Sequence, residues 1–183
     1  MPASSKKTAS RSRAQVHCPN PQGILIPIGG HERKEQLTQA ETGNNPDQAP
    51  ELILQRVVDE LQGKGPIVVI PTAAEEAEEA GEEYVEIFRK LGAAQVEVLN
   101  VQSREQANDE SLLKQLQQAS GIMFTGGDQL RLTALLGGTL LQRIIKERYT
   151  NDRFVVAGTS AGATAMSTPM IYQGRNDAGM LKD

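Results

Sequence analysis

The residues best suited to chemistry are Gly158-Thr159-Ser160-Ala161-Gly162, a complete G-x-S-x-G placed directly after the apolar run at residues 154–157. Glycines on both sides of a serine permit a sharp, strained turn from strand to helix. Such a turn lifts the hydroxyl above the sheet edge and surrounds it with backbone N–H groups of the following helix. Ser160 is therefore the candidate nucleophile, and the Ala161 N–H is a candidate donor to an oxyanion. A Gly/Ser turn that merely starts a helix has the same five-residue pattern, so it is the position after a buried strand that favours the nucleophile.

A second loop offers complementary chemistry. The run at residues 121–124 leads into Thr125-Gly126-Gly127-Asp128-Gln129-Leu130, and paired glycines let a backbone approach a ligand closely. A tetrahedral intermediate concentrates charge on one oxygen, where a single hydrogen-bond donor is worth about 2.7–4 kcal/mol. Donors from two neighbouring loops would suit acyl transfer. Asp128 has an alternative as the cap of a helix starting near Leu130, and Gln129 either hydrogen-bonds substrate or faces solvent.

Other polar residues are weaker candidates. In Ile28-Gly29-Gly30-His31-Glu32, His31 would have to reach hydrogen-bond distance of the serine to act as a base, and nothing in the sequence turns this loop so far inward. Thr72 and Arg104 follow the second and third apolar runs and either rim the same cleft or serve structural roles, the commoner reading for each. Glu75, Glu76, Glu78, Glu79, Glu82 and Glu83 form an acidic stretch; it reads as a solvated helix face rather than a site for a cationic substrate.

The elements that must position these loops follow from periodicity. Continuous apolar runs at residues 23–28, 67–70, 96–99, 121–124 and 154–157 read as buried strands. Apolar residues at three- and four-residue spacing mark helices over residues 50–62, 75–91, 105–119 and 138–149. This βα rhythm predicts a mainly parallel sheet covered on both faces, because right-handed crossovers place helices there. The expected fold is a doubly wound, three-layer α/β sandwich with its ligands at the carboxyl ends of the strands.

Composition narrows the function classes. A chain of 183 residues suits one domain, and with 3% aromatic residues and no tryptophan its core must rest on Ile, Leu, Val, Ala and Met. A formal charge of −4 gives no footprint for nucleic acid. The single cysteine, Cys18, has no intramolecular partner, and His17 and His31 are the only histidines, so no metal is expected. No run is long enough for a membrane span, and the first residues lack the apolar segment of a secretory signal, so the expected location is cytoplasmic. Residues 1–22 are rich in Ser, Lys and Arg, contain no acid and read as a disordered basic tail. Residues 23–183, which carry the βα rhythm, are expected to form one globular unit.

Three motifs together, Gly23-Ile-Leu-Ile-Pro-Ile-Gly-Gly30, Phe124-Thr-Gly-Gly-Asp-Gln-Leu130 with Leu136-Gly-Gly138, and Gly158-Thr-Ser-Ala-Gly-Ala163, resemble cyanophycinase, a serine peptidase of family S51 related to dipeptidase E. The resemblance covers residues 23–183. It implies a class I glutamine amidotransferase-like (flavodoxin-like) fold and a serine exopeptidase that releases β-aspartyl-arginine dipeptides from cyanophycin, multi-L-arginyl-poly-L-aspartate. No cofactor is implied. Ser160 then matches the nucleophile; Gly127, Asp128 and Ala161 match the neighbourhood of the oxyanion hole; and Gln129 matches a residue lining the substrate pocket. The expected partner is cyanophycin or a β-aspartyl peptide, with a homodimer left open.

The sequence departs from the family pattern in one respect. The family's catalytic histidine lies in an Asp-Gln-His motif after the nucleophile, and no histidine follows Ser160 here. The chain ends at Asp183, soon after a loop at residues 174–179, and reads as C-terminally truncated and nearly inactive. Two further readings stay open: a dipeptidase E-like aspartyl peptidase, and a non-catalytic binding module that keeps the cleft.

Overall fold

Every residue of β2 (Ile67–Ile70) and β4 (Gly121–Phe124) is buried, which requires a covering layer on each side of the sheet because successive side chains point to opposite faces. The computed structural model describes residues 20–29, 50–61, 65–168 and 170. It contains a five-stranded sheet in the order β1-β5-β4-β2-β3, with β1 at Ile24–Ile28, β3 at Val96–Val98 and β5 at Val155–Thr159. All four pairings are parallel.

On one face, Ile67, Val69, Met123 and Val155 meet Leu54 and Val57 of α1 (Pro50–Glu60) and Tyr84 and Phe88 of α2 (Ala77–Lys90). On the other, Val68, Ile70, Ile122 and Val156 meet Leu113 and Leu116 of α3 (Glu110–Gln118), Leu132 of α4 (Gln129–Leu136) and Leu141 of α5 (Leu140–Asn151). A short helix α6 (Ala161–Thr164) follows β5. This is the doubly wound α/β sandwich expected, with the flavodoxin-like layering. Full burial of each large aliphatic or aromatic side chain contributes about 1.5–3 kcal/mol.

Strand direction sets up the site. The helix after β1 packs on the first face and the helix after β5 on the second, where Ala161 joins the core. β1 and β5 are neighbours and the helices that follow them lie on opposite faces, an arrangement that favours a crevice at the carboxyl ends of the two strands.

Several boundaries differ from the expectation. The run at residues 96–99 is an edge strand with Glu97 and Val98 exposed, and Leu25 of β1, at the other edge, is 42% exposed. The helix expected over residues 105–119 is split: a 3-10 turn at Gln106–Asn108 ends at Asp109, whose extended backbone and carboxylate cap α3 through the Ser111 N–H. The side chain of Asp109 competes with helix continuation. The tail at residues 1–22 lies outside the described residues except for 20–22, where Gln22 N–H donates to Thr150 O at 3.3 Å. Among the described residues, no helix is long and apolar enough to cross a membrane.

Arg148 of α5 binds three segments together. Its guanidinium lies 4.6 Å above the Phe154 ring and donates to the carbonyls of Leu116, Gln117 and Ala119, closing the C-terminus of α3. The last turn of α3 and the lead into β5 are thus fixed to one side chain.

Asp109 gives the fold a calculable acid sensitivity. The Ser111 hydroxyl and then the Ser111 N–H hold its carboxyl below the usual aspartate range. Folding favours the carboxylate, so its contribution is complete above the ordinary pKa of about 4 and is lost as pH falls through the lower folded value. Asp109→Ala should lower Tm by about 2–4 °C at neutral pH. That difference should shrink on acidification below the ordinary pKa, and Asp109→Asn should keep most of the cap with little pH dependence. Thermal melts from neutral pH to pH 2.5 check this.

Candidate active site

Ser160 adopts φ 49° and ψ −110°, and among the described residues it is the one non-glycine with positive φ. Such a conformation costs about 1–3 kcal/mol and persists only where the surroundings fix it. Here the Ser160 N–H donates to Ile28 O at 3.0 Å, and Thr164 N–H donates to Ser160 O at 3.0 Å. The elbow is thereby tied to the end of β1 and to the first turn of α6. Ser160 is exposed, whereas Ala161 and Gly162 are buried.

The two flanking glycines serve close packing rather than a left-handed φ. A Cβ on Gly162 would lie 2.6 Å from Phe124 O, and one on Gly158 would lie 2.7 Å from the carbonyl carbon of Gly162. The backbones of β4, β5 and α6 therefore touch with nothing between them. That contact drives the chain round Ser160.

The loop after β4 is shaped by a neighbour the sequence did not reveal. Gly127 has φ 138°, and a Cβ there would lie 2.0 Å from Ala73 O. The next N–H, that of Asp128, donates to the same Ala73 carbonyl at 2.8 Å. The Asp128 carboxylate accepts from Leu130 N–H at 2.8 Å and Arg131 N–H at 3.2 Å, capping α4. Both polar groups of Asp128 are thus engaged within the fold. No described residue accepts the N–H of Gly126, Gly127 or Ala161. Gly126 runs close beside Ser160, since a Cβ on it would be 3.5 Å from Ser160 Cβ.

Gly29, Gly127, Asp128, Gln129, Ser160 and Ala161 line one open cleft at the carboxyl ends of β1, β4 and β5. All five residues singled out from the sequence meet there. Thr72 and Arg104 do not. Thr72 is fully buried and donates its hydroxyl to Val101 O at 3.1 Å, because the end of β2 is covered by the segment after β3. Arg104 donates to Ala134 O at 2.7 Å and Gly137 O at 2.9 Å, closing the C-terminus of α4. Glu75, Glu76, Glu78, Glu79 and Glu82 are exposed, and Glu78 and Glu79 occupy the first turn of α2, where acids favour the helix dipole. Gly30, His31 and Glu32 lie outside the described residues, as does the loop at residues 174–179. Among the described residues, no three or more His, Cys, Asp or Glu side chains converge as a metal would require.

The family model for peptidase family S51 matches residues 40–181. The chain belongs to peptidase family S51. It is 40% identical to a cyanophycinase of Trichormus variabilis over 111 residues, which is 61% of this chain and 37% of that relative. It is 34% identical to a cyanophycinase of Synechococcus elongatus over 153 residues, 83% of this chain and 44% of the relative. This S51 chain therefore spans less than half the length of those relatives. The crystal structure of a peptidase from an acI-B1 Actinobacterium superposes with a TM-score of 0.63 at 26% identity, over 82% of this chain and 59% of that one.

The packing account of the S51 elbow makes a paired prediction. Gly162→Ala should destabilise the protein by about 1–3 kcal/mol, since the added methyl meets backbone that cannot move aside. Gly29 lines the same cleft but, among the described residues, no atom lies within 4 Å of an added Cβ, so Gly29→Ala should change stability by no more than about 0.5 kcal/mol. Urea denaturation of the two variants measures the difference.

Proposed function

We propose that this chain carries the nucleophile and oxyanion loops of a cyanophycinase-type serine exopeptidase that cleaves cyanophycin to β-aspartyl-arginine dipeptides. The observation that carries the reading is the exposed Ser160 on a strained elbow, in one cleft with the Gly127 N–H of a second loop, which has no partner among the described residues. Family membership and the likeness to the two cyanophycinases support it.

In this reading Ser160 Oγ attacks the scissile carbonyl. A C–O bond forms as the carbonyl electrons move onto oxygen, and the N–H groups of Gly127 and Ala161 receive that charge. The intermediate collapses with loss of the amine, which takes the proton removed from the serine. Water then attacks the acyl-enzyme ester and restores the hydroxyl. With its amide bonded to Ala73, Asp128 contributes as a loop anchor rather than as a donor. Gln129, at the mouth of the cleft, contacts the substrate. The step needs no cofactor.

A neutral hydroxyl is a weak nucleophile without a base, and loss of a triad member costs roughly four to six orders of magnitude in rate. No histidine follows Ser160 in the sequence, so the base belongs to a segment other than residues 161–183. The same fact favours one second reading, a binding module that retains the cleft without turnover.

The 183 residues alone should hydrolyse cyanophycin negligibly. A chain extended through a histidine-bearing segment of the family should turn it over, and Ser160→Ala in that form should abolish release of dipeptides. Robust turnover by the 183-residue chain would overturn this account. Binding of cyanophycin without turnover in either form would favour the binding module. Preference for free aspartyl dipeptides over the polymer would shift the substrate to the dipeptidase E type.

A further inference from the structure

The loop that must hold an oxyanion donor still is built from Gly126 and Gly127, the residue type least able to fix its own backbone. Something outside the loop must do so. Two consecutive carbonyls of the turn after β2 supply the contact surface. Ala73 O accepts the Asp128 N–H at 2.8 Å and lies against Gly127 so closely that no Cβ could fit. Ala74 O accepts Arg131 Nη1 at 3.1 Å. The turn itself is closed by Ala74 N–H donating to Pro71 O at 2.9 Å, and Ala73 is 1% exposed.

We propose that Arg131 is a positioning residue: by holding the Ala74 carbonyl it locks the 71–74 turn on which the Gly127 peptide rests, and so fixes the oxyanion loop beside Ser160. The side chain is suited to this because it is held at both ends. Its backbone N–H is bonded by the Asp128 carboxylate in the cap of α4, and its guanidinium reaches across to the neighbouring loop. A charge-assisted hydrogen bond from a partly buried guanidinium is stronger than a neutral one. Asp128 and Arg131 therefore work as two arms of one clamp, one gripping Ala73 through the backbone and the other Ala74 through a side chain. Among the described residues the Arg131 guanidinium bonds neither Ser160 nor any other residue lining the cleft, which separates its task from that of Gln129 two positions earlier.

The inference that this clamp matters to catalysis rests on the peptidase reading; the clamp itself does not. Amide hydrogen exchange on the 183-residue chain tests the clamp without turnover. Arg131→Met keeps the aliphatic stem and removes the donor, and it should speed exchange of the Asp128 amide by about tenfold or more while leaving the β4 amides unchanged. Arg131→Lys should restore part of the protection, and it supplies the same readout if the Met variant does not fold. In the extended, active form, Arg131→Met should lower kcat roughly 10- to 100-fold with KM little changed, as a misplaced donor would. Unaltered exchange at Asp128 overturns the inference even in an active enzyme. So does a rise in KM with kcat intact. If no extended form turns over, the peptidase reading falls, and the exchange result still decides whether Arg131 holds the loop.

Discussion

The contact on which the site depends is between backbones: Gly162 against the carbonyl of Phe124, and Gly158 against Gly162. Register makes it possible, since Phe124 and Gly158 are Cα partners across the β4–β5 ladder. With no side chain to hold the layers apart, α6 starts directly on the end of the neighbouring strand. The chain has one residue, Ser160, in which to turn from the strand into the helix, and its positive φ records the strain. The exposed hydroxyl is a consequence of that geometry rather than an independent feature.

The rest of the fold supplies rigidity around this point. With α1 and α6 on opposite faces of the sheet, the bond from Ser160 N–H to Ile28 O keeps the ends of β5 and β1 together. Farther away, Arg148 joins the end of α3 to the ring of Phe154 at the entry to β5. The strand that feeds the elbow is thus anchored at its start as well as at its end. By contrast the second loop depends on a borrowed surface, the carbonyls of Ala73 and Ala74. Elements with their own hydrogen-bond ladders carry Ser160, and a glycine loop without one is braced from outside.

Much of this was legible from residue types. Buried strands such as Ile67–Ile70 announce themselves by unbroken β-branched runs, and Gly158 to Gly162 announces the elbow by its glycines. The capping role of Asp128 was one of two readings open to it, and the structure shows the cap. What stayed hidden depends on backbone atoms that every residue possesses. Nothing in the types of Ala73 and Ala74 signals that their carbonyls meet Gly127, Asp128 and Arg131. Thr72 and Arg104 take the structural one of their two readings: a polar side chain after a strand can serve the cleft or can satisfy a neighbouring carbonyl, and both satisfy carbonyls. The helix expected over residues 105–119 is too long at its start: Ala107 and the next apolar residue, Leu112, are five positions apart, and Asp109 between them caps α3 instead of continuing a helix.

The division of labour within the elbow bears on how such a site can change over time. Its glycines are specified by contact with main chain, so their replacement strikes the frame. Ser160 Oγ projects from an exposed position and has no hydrogen-bond partner among the described residues. The atom at its tip is therefore not dictated by packing, and a thiol of similar size could occupy the place without disturbing the turn. The pentapeptide separates a rigid mount from an interchangeable reactive group, so the chemistry here is freer to drift than the geometry that presents it.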